Sequence, residues 1–162
     1  GPTLEAIDIL KVLKNEEDAP KDLTERALLL ATELLELSGK VEKGKGLETA
    51  HKILKSGKAY EKFVAICKAQ GQFSKPVLAP YKIEIKAEKS GVFQRIDNRK
   101  IAKLAKLSGA PQSKSAGILL NVHLGEQIEE NQLLYTIYAE SKGELNYALE
   151  YENNHNDIIT II

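Results

Sequence analysis

Residues 90–140 constrain the fold most. There SGVFQRIDNRKIAKLAKLSGAP runs into SAGILLNVHLGEQIEENQLLYTIYAE, which reads as strand, turn, helix, strand, hairpin, strand. Ile83 and Ile85, just upstream, alternate with Lys82, Glu84 and Lys86, as a half-buried strand does. Gly91 permits a bend or bulge, and Val92 and Ile96 continue a second strand. Asp97 or Asn98 then opens a helix bearing Ile101, Leu104, Ala105 and Leu107, which Ser108-Gly109 ends and Pro111 keeps from resuming. A strand is expected over Gly117 to Leu124, a turn at Gly125-Glu126, and two strands joined around Glu130-Asn131. Residues 145–157 fit either a helix or a strand, and the closing IITII is an edge strand by its β-branched composition.

Upstream the period changes from two to about 3.6. Leu4, Ile7, Leu10, Val12 and Leu13 predict a helix over residues 3–14 with Thr3 as N-cap. Asp22 or Thr24 caps a second helix, whose face is Leu23, Ala27, Leu30, Leu34 and Leu37, with Leu28, Leu29 and Leu35 widening the stripe and Gly39 just past its end. Two more helices follow, Leu47 to Lys55 and Ala59 to Ala69, the latter with Phe63, Ile66 and Cys67 inward. Four such helices either form a bundle or flank strands that lie outside this sequence. The expected class is therefore α+β, with a helical segment over 1–71, a linker with two prolines over 72–80 and a mixed module over 81–162.

Chemistry-bearing groups are sparse. Cys67 is single and sits among apolar helix residues, which reads as a small hydrophobe and not a nucleophile. His51, His123 and His155 fall on three separate elements, which argues against a shared metal. Lys43-Gly44-Lys45-Gly46 precedes a helix but lacks the phosphate-loop frame, so a connector is the expected role. Lys100, Lys103 and Lys106 recur opposite an apolar stripe, as a solvated face does. Glu5 and Asp8 read as acids near a helix start. The 162 residues suffice for a core, burying roughly 68–70% of the unfolded surface. Twenty-three basic residues balance 23 acidic ones, leaving no net field for nucleic acid or an anionic membrane, and the longest apolar run, Ala27 to Ala31, is too short for a span. One unpaired cysteine and no recognisable signal peptide favour a cytoplasmic setting.

The spelling of GPTLEAIDIL, LLELSGK, SGKAYEKFVAICKAQG and the 90–140 block, with IDN, GAP, AG, LG and TIYAES in order, resembles the C-terminal part of the thymidine phosphorylase family, in the branch that includes AMP phosphorylases. It departs from the usual spelling at Gln72, Ser115 and Asn121. The resemblance implies a parent enzyme that splits an N-glycosidic bond with inorganic phosphate as co-substrate and no cofactor, acting on a nucleoside or nucleotide as a homodimer. It implies that the phosphate- and base-binding residues lie upstream, so that this chain holds no catalytic or substrate-binding residue. Residues 1–71 would be the end of a larger α/β domain, and 81–162 an α/β-hammerhead, barrel-sandwich-like domain. Asp8 would be the carboxylate of a monovalent-cation site whose other ligands are upstream carbonyls. The G-x-x-I-x-x-N-x-x-L spacing from Gly125 to Leu134 also resembles the hairpins of biotinyl and lipoyl carriers, although the tips LGEQ and EENQ offer no lysine. A carrier or interaction module is thus the rival reading.

Overall fold

The computed structural model describes residues 1–155 and 157–162. Among them lie α1 (Pro2–Lys14), α2 (Lys21–Leu37), α3 (Gly46–Lys55), α4 (Lys58–Ala69), β1 (Tyr81–Lys86), β2 (Gly91–Ile96), α5 (Asn98–Leu107), β3 (Gly117–Leu120), β4 (Gln127–Ile128), β5 (Leu133–Ala139), α6 (Lys142–Asn153) and β6 (Ile159–Ile161). The class is α+β. The described chain forms two compact units, one of Ala6–Lys75 and one of Gly1–Glu5 with Pro76–Ile162.

In the helical unit the helices start earlier than their polar residues suggested. Neither Asp22 nor Thr24 caps α2. Pro20, at φ −58° and ψ 120°, sets the entry, and the Thr24 hydroxyl donates back to the Pro20 carbonyl at 2.8 Å. Likewise α1 begins at Pro2, whose fixed φ suits a first turn, and not after a Thr3 cap. Gly39 takes φ +67° past the end of α2, as a C′ glycine should.

The stripe on α2 needs correction. Leu28 is the buried residue, whereas Leu30, Leu34 and Leu37 are 57%, 67% and 82% exposed. The side facing α3 is the Leu28 side, and an apolar groove of about 440 Å³ runs past Val12, Leu13, Leu28, Leu35, Ala50 and Leu54. Ile66 of α4 is also exposed, and no α4 side chain is fully buried. A contiguous apolar face of this extent is unusual for a surface in water.

The second unit holds two three-stranded antiparallel sheets, ordered β1-β5-β3 and β4-β2-β6. Strand β5 is central and buried along its length, with Ile137 opposite Ile83 on one side and Ile118 on the other. The core gathers Phe93, Leu104, Ile128, Tyr135, Ile137, Leu145 and Ala148 from both sheets, α5 and α6. Strand β1 alternates half-buried and exposed residues, as its sequence implied.

Three expectations shift here. The strand expected over Gly117 to Leu124 stops at Leu120. The turn at Glu130-Asn131 is present, but β4 pairs with β2 while β5 pairs with β1 and β3, so the two strands do not form a hairpin. The ambiguous segment after Leu145 is helical to Asn153, started by Ser141, whose hydroxyl accepts the Glu144 amide at 3.2 Å while Glu144 reaches back to it at 3.0 Å. The G-x-x-I-x-x-N-x-x-L spacing has a physical basis. Gly125 and Asn131 take φ of +86° and +68°, while Ile128 and Leu134 are buried.

Candidate functional site

Asp97 starts α5 as its sequence suggested, its carboxylate accepting the Arg99 and Lys100 amides at 2.9 and 3.1 Å. These bonds hold the carboxyl below its usual range. The lysines that follow are less uniformly solvated than expected. Lys100 pairs with Asp157, Lys103 lies 5.1 Å from the Tyr151 ring centre, and Lys106 is exposed. The fold uses two of the three to tie α5 to the chain around α6.

The other sequence candidates are dispersed. The amides of Gly44 and Gly46, which a phosphate would need, both donate to Glu36 Oε1, at 3.0 and 2.9 Å. That contact makes the glycine-lysine segment a connector. His51 lies on α3. His123 falls beyond the end of β3, its side chain 92% exposed and its amide bonded to Glu126. His155 stacks on Tyr151 at 3.9 Å, and its Nδ1 meets the Tyr151 carbonyl at 2.8 Å. Cys67 is half-buried on α4. Among the described residues no three His, Cys, Asp or Glu side chains gather as a metal site would require. Asp8 is half-buried on α1, where its charge adds to the Asp18 hydrogen bond that favours the ammonium form of Lys11.

One cluster was invisible in the sequence. Tyr135, only 2% exposed, donates its hydroxyl to Glu152 Oε1 at 3.2 Å. They face a cleft of about 510 Å³ floored by Ile85, Leu134, Ile158 and Ile159. Burial, then the nearby carboxylate, raises the Tyr135 hydroxyl far above its ordinary value of 10.0. Burial likewise raises Glu152 above 4.5, against the Tyr135 bond and with help from Glu88. Strand alternation could suggest that Tyr135 points inward, but nothing local pairs it with a residue 17 positions away.

Because the folded state disfavours the Tyr135 phenolate, the stability this group contributes is complete below pH 10 and lost as pH rises beyond it. The urea midpoint is expected to fall steeply above pH 10, and Tyr135→Phe to flatten that fall. An equally steep fall in the variant would show that the loss arises elsewhere.

Residues 92–158 match the family model described as "Pyrimidine nucleoside phosphorylase C-terminal domain". Proteins described as "Putative thymidine phosphorylase" resemble nearly the whole chain. That of Legionella pneumophila strain Corby is 52% identical over 161 residues, covering 99% of this chain and 31% of its own length. Those of Hahella chejuensis and Tolumonas auensis are 49% and 47% identical over 161 residues, again 99% of this chain and 32% of theirs. The chain thus spans about a third of the length of the relatives it matches. No described helix is long and apolar enough to cross a membrane.

Proposed function

We propose that this chain, whose residues 92–158 match the pyrimidine nucleoside phosphorylase C-terminal domain, is the C-terminal part of a thymidine phosphorylase. The whole enzyme would transfer the pentosyl group of a pyrimidine nucleoside to phosphate, giving free base and deoxyribose or ribose 1-phosphate. The observation that carries this reading is the 47–52% identity with the Legionella, Hahella and Tolumonas proteins across 99% of this chain.

On this reading residues 1–71 close a larger α/β domain, 72–80 link, and 81–162 form the hammerhead, barrel-sandwich-like domain. The exposed leucines of α2 support it, since strands or helices of the larger domain would cover them. The chemistry is positioning of phosphate and stabilisation of an oxocarbenium-like state by residues outside this chain. No side chain described above is assigned a step in it. The mixed module packs on the large domain and steadies the closure by which the substrate is enclosed. Phosphate is a co-substrate, no cofactor is required, and the enzyme is a cytoplasmic homodimer that binds neither nucleic acid nor membrane.

Asp8 contributes one carboxylate toward a monovalent cation. The interior carbonyls of its own helix are committed to helical hydrogen bonds, so this chain alone does not complete that site, and the remaining oxygens come from elsewhere in the longer protein.

Thymidine and AMP, each supplied with phosphate, separate the two branches. The full-length protein is expected to release thymine from thymidine and to leave AMP intact. Release of adenine with ribose 1,5-bisphosphate would instead make it an AMP phosphorylase, and inertness toward both would end the enzymatic reading.

A further inference from the structure

The cleft beside Tyr135 and Glu152 lies wholly within the mixed unit, between the end of β1 with the turn after it, the start of β5, the end of α6 and the residues around β6. Ile85, Leu134, Ile158, Ile159 and Ile161 line it together with polar and charged groups, Lys86, Glu88 and Lys89 among them. Of the Glu152 carboxylate, Oε1 is taken by the Tyr135 hydroxyl, and no described residue donates to the other oxygen. A neutral phenol therefore supplies the partner for a charge set against an apolar surface.

Lys86 and Lys89 line the cleft, yet neither pairs with Glu152. Glu152 forms no ion pair with a described residue, and Glu88, of like sign, acts on it. Lys86 acts on Glu84, and His155 stacks on Tyr151 and bonds its carbonyl. A half-buried carboxylate with a single neutral donor is costly, and a cation that also covers the isoleucine floor removes that cost. Concave sites of this size that set polar groups beside an apolar surface are suited to small molecules.

We propose that this cleft binds an organic ammonium ion, its N–H groups donating to the open oxygen of Glu152 and its apolar body resting on Ile85, Ile158 and Ile159.

Benzylamine, charged at neutral pH, is the probe, and an NMR titration of the chain is the readout, with benzyl alcohol and inorganic phosphate as comparisons. Benzylamine is expected to give saturable shifts at Ile85, Ile158 and Ile159. Benzyl alcohol should bind about tenfold more weakly, and Glu152→Gln, which keeps an acceptor for Tyr135, should weaken benzylamine by about tenfold. Glu88→Gln, at an exposed position that leaves the core intact, should weaken it about two- to fivefold. Equal binding of the alcohol, indifference to both substitutions, shifts produced by phosphate and not by the amine, or no saturable shift up to about 10 mM benzylamine would each overturn the proposal.

Discussion

Replacing Phe93 by alanine is expected to destabilise the mixed unit by about 3–5 kcal/mol. Phe93 is 2% exposed and projects from β2 into the core shared by both sheets, α5 and α6. Its backbone is tied to the 125–126 turn by two bonds, the amide donating to the Glu126 carbonyl at 2.9 Å and the carbonyl accepting the Gly125 amide at 2.8 Å. The strand cannot slide to fill the space an alanine would leave, so most of the cavity persists. Chemical denaturation followed by circular dichroism measures the loss, and Val92→Ala, on the outward side of the same strand, is the control. A loss under about 1 kcal/mol for Phe93→Ala would mean the site collapses or is not the core position described.

Replacing Gly91 by valine is expected to cost on the order of 2–4 kcal/mol, from backbone strain and overpacking together. Gly91 sits at φ +155°, and a Cβ there would lie 2.6 Å from the Ile162 carbonyl oxygen and 2.8 Å from Ile161 Cγ2. The Val92 amide bonds that same carbonyl, so relieving the clash means unseating β6 from β2, beside which it lies in the sheet. Ile161 also lines the ammonium cleft, and the substitution should therefore weaken benzylamine binding as well as folding. Gly125→Ala is the comparison, because its φ is +86° but no atom lies within 4 Å of the added carbon. If both glycine variants lose the same stability, conformation alone and not the approach of β6 sets the cost.

These two neighbours show what the sequence discloses and what it conceals. Gly91 is legible as a special backbone position, although it stands in register with Ile128 and the irregularity of β2 falls further on. Phe93 is not, because the register slips between Phe93 and Arg95, and the bulge moves the inward position off the period-two rule that picked Val92 and Ile96. The same limit applies to Gln127-Ile128 and Leu133–Ala139. Their adjacency around a turn suggests a hairpin, but the positive φ at Asn131 and the bonds between Ala87 and residues 131 and 132 send the chain across to the other sheet. Helices fared better where a side chain made the cap, as at Asp97, than where a proline's backbone did, as at Pro20.

Of the sites, sequence could locate Asp8, Cys67, the histidines and the glycine-lysine segment, but not their partners. Glu36, which occupies the Gly44 and Gly46 amides, precedes them by eight and ten positions, and Glu152 meets Tyr135 across 17. Periodicity reports which face a residue occupies within its own element. It carries no information about which element that face meets, and the cleft exists only through such meetings.

The claim on which the account rests is that this chain supports a phosphorylase whose reacting groups lie outside it. Phosphate-dependent release of thymine from thymidine, measured side by side for the full-length protein and for the folded 162-residue chain, tests it most directly. The full-length protein should turn over and the chain should not. Thymine released by the chain alone, or by neither protein, would contradict it.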